Sequence, residues 1–219
     1  MGRFRDCLLD DRTTSDRPCQ VTSQPAFRRA DPDARRQSLI GACARVLARE
    51  GAAGASVRTI AVEAGVSPGL IGHYFPALDD LIAATYAHVG ARVEAALEAA
   101  VAAAAPEPRA RLDAFVTASF AAPIADAELL ATWIAFWSLV RTLPGMAAQH
   151  DGQYFAFRER LARLLHDCGL PRPRLRHAAI AVTALVDGLW LELCLSPGCF
   201  TPDEAGAMAR QFLDRLVEG

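Results

Sequence analysis

From about residue 34 to the C-terminus, apolar positions recur at three- and four-residue steps, and nowhere do they alternate in the two-residue rhythm of a strand. An amphipathic helix opens with RRQSLIGACARVLAREG. Val57, Ile60, Ala61 and Ala64 then fall at i, i+3, i+4 and i+7, a one-sided stripe on a helix too short to stand alone. Gly65 follows, where a helix ending in the left-handed conformation favours a residue without a Cβ. Ser67 offers an N-cap and Pro68 a preorganised first helical position, so a second short helix restarts within three residues. That helix is expected to bury Leu70, Ile71 and Phe75 and to leave Ser67, Gly69, Gly72, His73 and Tyr74 on its other face. A long fourth helix is expected over about Leu78 to Ala104, broken by Pro106 and Pro108. Pro123 is expected to end the next helix and Pro144-Gly145 the one holding Trp133. Two more follow at about Met146 to Cys168 and Arg174 to Leu195, and Pro202 opens the last. The pattern predicts an all-α protein of about nine helices. Residues 32–76 form a three-helix helix-turn-helix domain, residues 77–219 a larger helical domain, and residues 1–31 a disordered extension.

The last two helices carry more apolar surface than one small domain needs. Leu175, Ala179, Val182, Val186, Leu189 and Leu193 make one face, and Ala205, Met208, Phe212 and Leu216 another. They suit either an intramolecular core or an interface with a two-fold mate. Trp133, Phe136 and Trp137 stand at i, i+3 and i+4, so one helix presents three aromatic faces close together. An apolar segment further on adds Trp190 with Asp187 and Glu192, where a buried carboxylate is costly unless paired. Tyr154 and Phe157 are placed to close a cage, because quaternary ammonium groups bind stacked aromatic faces beside an anion. Core packing explains each ring taken singly.

At 219 residues the chain can bury a substantial core, and its net charge of −2 excludes little. The distribution is more informative. Residues 28–75 carry seven Arg against four acids, a balance of +3, whereas residues 76–219 carry twelve Arg against seventeen acids, a balance of −5. The six cysteines have neither C-x-x-C spacing nor His at ligand intervals, so neither a zinc site nor a disulfide framework is indicated, and no metal or cofactor is expected. Residues 1–31 lack the apolar run of a signal peptide. Leu129 to Val140 is only twelve residues, and the run Ala178 to Leu191 is interrupted by Asp187, so no membrane span is expected and the protein is placed in the cytoplasm.

A helix-turn-helix on the basic end points to double-stranded DNA. His73 is the main candidate for reading base edges. Arg58, Thr59, Ser67 and Tyr74 are candidates for phosphate, while Gly69 and Gly72 allow close backbone approach. Arg28 and Arg29 form a candidate minor-groove arm. The order of elements over residues 34 to 90, ending in HYFPALDDLIAATY, closely resembles the DNA-binding domain of the TetR family. That resemblance implies a fourth helix leading to a domain that forms a homodimer and binds a small effector. It assigns Leu175, Val182, Val186, Leu189, Leu193, Met208, Phe212 and Leu216 to the dimer interface. The chain departs from the family at Leu78, where a Lys that helps to hold a DNA phosphate usually stands.

The WIAFWS and ALVDGLWLELCLSP segments and LIAATY resemble a subgroup, the BetI-like repressors of choline and glycine-betaine metabolism. This resemblance implies a choline-type effector among Trp133, Phe136, Trp137, Tyr154, Phe157, Asp187 and Trp190. Other readings are a regulator of efflux or catabolic genes answering to an uncharged hydrophobic compound, a DNA-incompetent effector-binding dimer, and an enzyme using Asp187, Glu192 and His177 as acid and base. No nucleophile elbow, phosphate loop or metal motif supports the enzyme.

Overall fold

A computed structural model of the chain describes residues 31–143 and 145–218. The expected extension therefore lies outside the described residues apart from Asp31, as do Arg28, Arg29 and Pro144. Nine α-helices and one short 3₁₀ turn make up the regular structure, with no strand among the described residues. They are α1 (Pro32–Gly54), α2 (Val57–Ala64), α3 (Pro68–Tyr74), α4 (Leu78–Ala103), α5 (Pro108–Thr117) with the 3₁₀ turn Ala118–Phe120, α6 (Ala127–Leu139), α7 (Met146–Asp167), α8 (Arg172–Leu195) and α9 (Pro202–Glu218).

In α1, Leu39, Ile40, Cys43, Val46 and Leu47 are buried at helical spacing, and Gly51, at φ 67°, kinks its end. The buried Cys43 thiol is pushed up to about 11 by burial, which keeps it an unreactive core group. At the start of α2, the Ser56 and Thr59 side chains each accept the other residue's backbone N–H, at 3.1 and 2.9 Å, forming a capping box. Gly65 ends that helix in the left-handed conformation at φ 65°, as its position in the sequence requires.

From Pro32 onward the chain forms one compact unit. The expected boundary at 76/77 is not a break in packing, because α1 lies along α6 as well as against α2 and α4. Around this contact α4, α5, α6, α7 and α8 enclose a cavity, and α9 packs on α5 and α8.

Two expectations need correction. The helix holding Trp133 ends at Leu139, well before Gly145, and the chain then turns through bonds from the Thr142 and Leu143 N–H groups to the Leu139 carbonyl. The stripe assigned to a dimer interface is largely internal. Val182, Val186 and Leu193 are buried within the protomer. Leu175, Leu189, Phe212 and Leu216 are half-buried against its core, and Met208 is the member that lies exposed. Because α8 is apolar on two faces, the denser stripe is taken up by the protomer's own core. The outward face carries Ile180, Ala184, Gly188, Leu191 and Leu195, with Leu195 65% exposed. By length and composition α8 is apolar enough to cross a membrane in spite of Asp187. Its Ala178, Val182, Thr183, Val186 and Trp190 are nevertheless buried inside the domain.

Candidate functional site

Two regions bring the expected residues together. At the helix-turn-helix, the Gly65 and Val66 N–H groups bond to the carbonyls of Val62 and Ala61, fixing the turn between α2 and α3. Arg58, Ser67, Gly69, Gly72 and His73 are all exposed, and a Cβ built at Gly69 or Gly72 would meet nothing within 4 Å. Ser67 occupies the N-cap position, but its hydroxyl makes no capping bond. Tyr74 is less free than expected. Its ring is half-buried against the core and meets His73 edge-on at 5.2 Å.

Thr59 needs correction. Its hydroxyl accepts the Ser56 N–H and has the Gly54 and Ser56 carbonyls at 2.9 and 3.0 Å, so its single proton is committed within the cap rather than to a phosphate. Two of the seven Arg in that balance are paired locally. Arg45 and Arg49 both reach Glu63, at 2.6 and 3.0 Å, and Arg49 also bonds Glu50. These guanidinium hydrogen bonds hold the Glu63 carboxyl below its usual range. At the start of α4, Leu78 is half-buried against the core and Asp80 accepts the Ala77 N–H at 3.1 Å.

The second region is a cavity of about 700 Å³ between α4, α5, α6, α7 and α8. All three tryptophans of the chain, Trp133, Trp137 and Trp190, line it, together with Tyr154, Phe157 and Asp187. A chain of hydrogen bonds crosses its wall. The Trp137 indole N–H donates to the Tyr154 hydroxyl at 3.2 Å, and that hydroxyl donates to Asp187 Oδ1 at 3.1 Å. Burial pushes the Asp187 carboxyl up from 3.8 to about 6, partly opposed by the Tyr154 bond and by Arg158. Burial, with Asp187 beside it, pushes the Tyr154 phenol well above its ordinary value, so it remains a neutral donor. Trp190 is pinned by its N–H to the Ser119 carbonyl at 2.7 Å.

Phe136 does not line the cavity. It is fully buried behind the wall, edge-on to Tyr86 at 5.0 Å and to Trp133 at 5.8 Å, because its place on α6 turns it toward α4. Glu192 is exposed and outside the cavity, since five residues at 100° each carry it well round α8 from Asp187. His177 is exposed too, so the acid-base trio of the enzyme reading is not assembled around the cavity.

Three features escaped the sequence. Arg160 pairs with Glu98 through two bonds of 2.6 and 2.9 Å where both line the cavity. Tyr86 OH lies 3.1 Å from His150 Nδ1, and the Arg158 guanidinium sits 5.3 Å from the Tyr154 ring centre. Each joins residues from helices whose pairing no local pattern reveals, or depends on which way a long side chain folds back.

Comparison with known proteins identifies both halves. Residues 39–85 match the family of bacterial regulatory proteins of the tetR type, and residues 108–218 match the C-terminal domain of BetI-type transcriptional repressors. The HTH-type transcriptional regulator BetI of Burkholderia thailandensis is 36% identical over 184 residues, covering 84% of this chain and 93% of its own. That of Burkholderia ambifaria is 34% identical over 190 residues, covering 84% and 94%. Among solved structures, a transcriptional regulator from Pseudomonas aeruginosa PAO1 superposes with a TM-score of 0.80 at 39% identity, covering 89% of this chain and 96% of its own. A regulator from Saccharomonospora viridis, solved in complex with choline, shares the fold with a TM-score of 0.72 at 20% identity, covering 85% and 96%.

Proposed function

This chain belongs to the TetR family of bacterial regulatory proteins and carries a BetI-type repressor domain, and we propose that the effector controlling its DNA binding is a small cation of the choline type. The observation that carries this reading is Asp187, a half-buried carboxylate facing an aromatic cavity, with Tyr154 and Trp137 holding it in place. Among the described residues Asp187 makes no ion pair, and only Arg158 acts on it from further off. A ligand cation therefore supplies a closer countercharge, and the rings supply cation–π faces of roughly 0.5 to 2 kcal/mol each. Two or three such faces support binding in the micromolar to millimolar range. The choline held by the Saccharomonospora viridis neighbour agrees with this reading.

In this account Arg58, Ser67, Gly69, Gly72, His73 and Tyr74 meet operator DNA in the cytoplasm, His73 reading bases and the others positioning the backbone. The protein pairs as a homodimer through the outer face of α8 together with Met208 on α9. Residues 32–76 serve as the DNA-reading head, and residues 77–219 hold the effector and the dimer contact. A gel shift with the chain's own upstream DNA tests the reading. Choline or betaine aldehyde at millimolar concentration changes the shift, and absence of any change contradicts the assignment.

One observation favours a second reading. The cavity, at about 700 Å³, is much larger than choline and suits a bulkier uncharged compound. A response to flat uncharged aromatics, with none to choline, selects that alternative.

A further inference from the structure

The reading helix α3 is short and poor in charge. Its exposed face offers a hydroxyl, two glycines and His73, and no Arg. Phosphate attraction must therefore come from neighbouring elements, and the structure narrows which. Of the five Arg between residues 32 and 76, Arg45 and Arg49 are engaged by Glu63 and Glu50 on the surface shared by α1 and α2. The start of α4 offers no cation: Leu78 is half-buried, Asp79 and Asp80 are exposed, and the Ala77 N–H is already taken by Asp80. Arg35, Arg36 and Arg58 are what is left.

Among these, Arg36 has a contact that the others lack in the described residues. Its guanidinium carbon lies 4.9 Å from the centre of the Phe75 ring. Phe75 is 4% exposed, caps the C-terminal end of α3, and gives its N–H to the Ile71 carbonyl at 2.8 Å. The ring is thus a fixed platform two residues beyond His73, and Arg36 on α1 rests on it while staying exposed. A guanidinium stacked on an aromatic face keeps its N–H donors at the rim of the plane, free for a second partner. Stacking also removes part of the side-chain freedom that an exposed Arg would otherwise lose on binding.

We propose that Arg36, propped on Phe75, is a phosphate-binding residue of the DNA surface, supplying from α1 the cation that α3 and the start of α4 do not carry. This inference rests on the DNA-binding reading. The competing role for Arg36 is a lid over Phe75 that stabilises the domain and touches no ligand. The two roles separate in their salt dependence. Each phosphate contact adds about 0.9 to the slope of log affinity against log salt, whereas a lid adds nothing to it.

The test is fluorescence anisotropy of full-length protein on a labelled random-sequence duplex across a salt series, for the wild type, Arg36→Gln, Arg36→Lys and Arg49→Gln, with melting curves for each. The expected result is a slope lower by about one per subunit in Arg36→Gln, with weakening alike on all sequences and a melting temperature lowered by a few degrees at most through loss of the ring contact. Arg36→Lys keeps the slope, and Arg49→Gln, whose charge is already paired, leaves it nearly as in the wild type. An unchanged slope in Arg36→Gln overturns the proposal, as does an equal fall in Arg49→Gln, which reports net charge rather than a placed contact. A wild type that does not bind duplex DNA at any salt overturns this inference and the DNA-binding reading together.

Discussion

Asp187, in the proposed effector site, carries a cost in stability. Its carboxyl titrates at about 6 in the fold against an ordinary 3.8, chiefly because burial disfavours the charged form. Between those values the folded chain holds a proton that the unfolded chain has released. Stability therefore falls as pH rises through the window from about 4 to 6, and above it the buried charge costs at most about 3 kcal/mol. Asn at this position still accepts the Tyr154 hydroxyl, through a weaker neutral hydrogen bond, and carries no charge to bury. Asp187→Asn should thus be more stable than the wild type to denaturant at pH 8, by a margin that closes toward pH 4, while choline no longer raises its melting temperature. In the wild type, choline affinity should weaken as pH drops through about 6, because protonation removes the anion. A variant that is less stable at pH 8, or that still binds choline normally, contradicts this role for Asp187.

The elements that the sequence displayed best are those whose limits are set by single residues. Gly65 and Pro68 fix the turn between α2 and α3, and Pro108 and Pro202 open their helices. Ser56→Ala should cost about 1 kcal/mol by removing the cap acceptor. Gly65→Ala should cost roughly 1 to 2 kcal/mol by forcing a Cβ into the left-handed conformation. Both are measurable as shifts in denaturation midpoint, and a change in neither would mean that the turn is held from elsewhere. What the sequence hid has a common cause. The sequence leaves the Thr59 side chain open to DNA, because a Ser-x-x-Thr pair does not announce which hydroxyl bonds inward. Phe136 and Trp137 look equivalent in a stripe of rings, yet neighbouring helices turn one to the core and the other to the cavity. Of the expected cage, Trp133, Trp137, Tyr154, Phe157, Asp187 and Trp190 are brought together at the cavity wall, because an acid on an apolar helix is a sign that composition alone can give. Which stripe of α8 faces out was not legible, since both are apolar and only the packing of α6, α7 and α9 decides.

At the scale of the whole molecule, two of the helices that line the cavity, α4 and α6, also pack against α1 of the DNA end. α6 carries Trp133 and Trp137 and packs along α1. α7 carries Tyr154 and holds α4 through Gln149, which donates to the Ala83 carbonyl at 3.1 Å. A ligand that fits one arrangement of these helices better than another shifts the balance between DNA-competent and incompetent states, by no more than that difference in affinity. The assembly is expected to depend on the outward stripe of α8. Leu191→Glu combined with Leu195→Glu should yield a monomer in sedimentation, whereas Val182→Ala should lower the melting temperature, at a cost of about 2 kcal/mol, with the oligomeric state unchanged. A dimer that persists in the double variant would move the interface elsewhere. The cavity is proposed to select a cation, and all three tryptophans of the chain stand in its wall to report on it. Tryptophan fluorescence is therefore the direct measurement, titrating the protein with choline and with its uncharged carbon isostere, 3,3-dimethylbutanol. The account predicts a saturable change with choline at or below millimolar concentration, at least tenfold weaker binding of the isostere, a difference of about 1.4 kcal/mol, and loss of that preference in Asp187→Asn. Equal binding of the two compounds, or no response to choline at millimolar concentration, would contradict it.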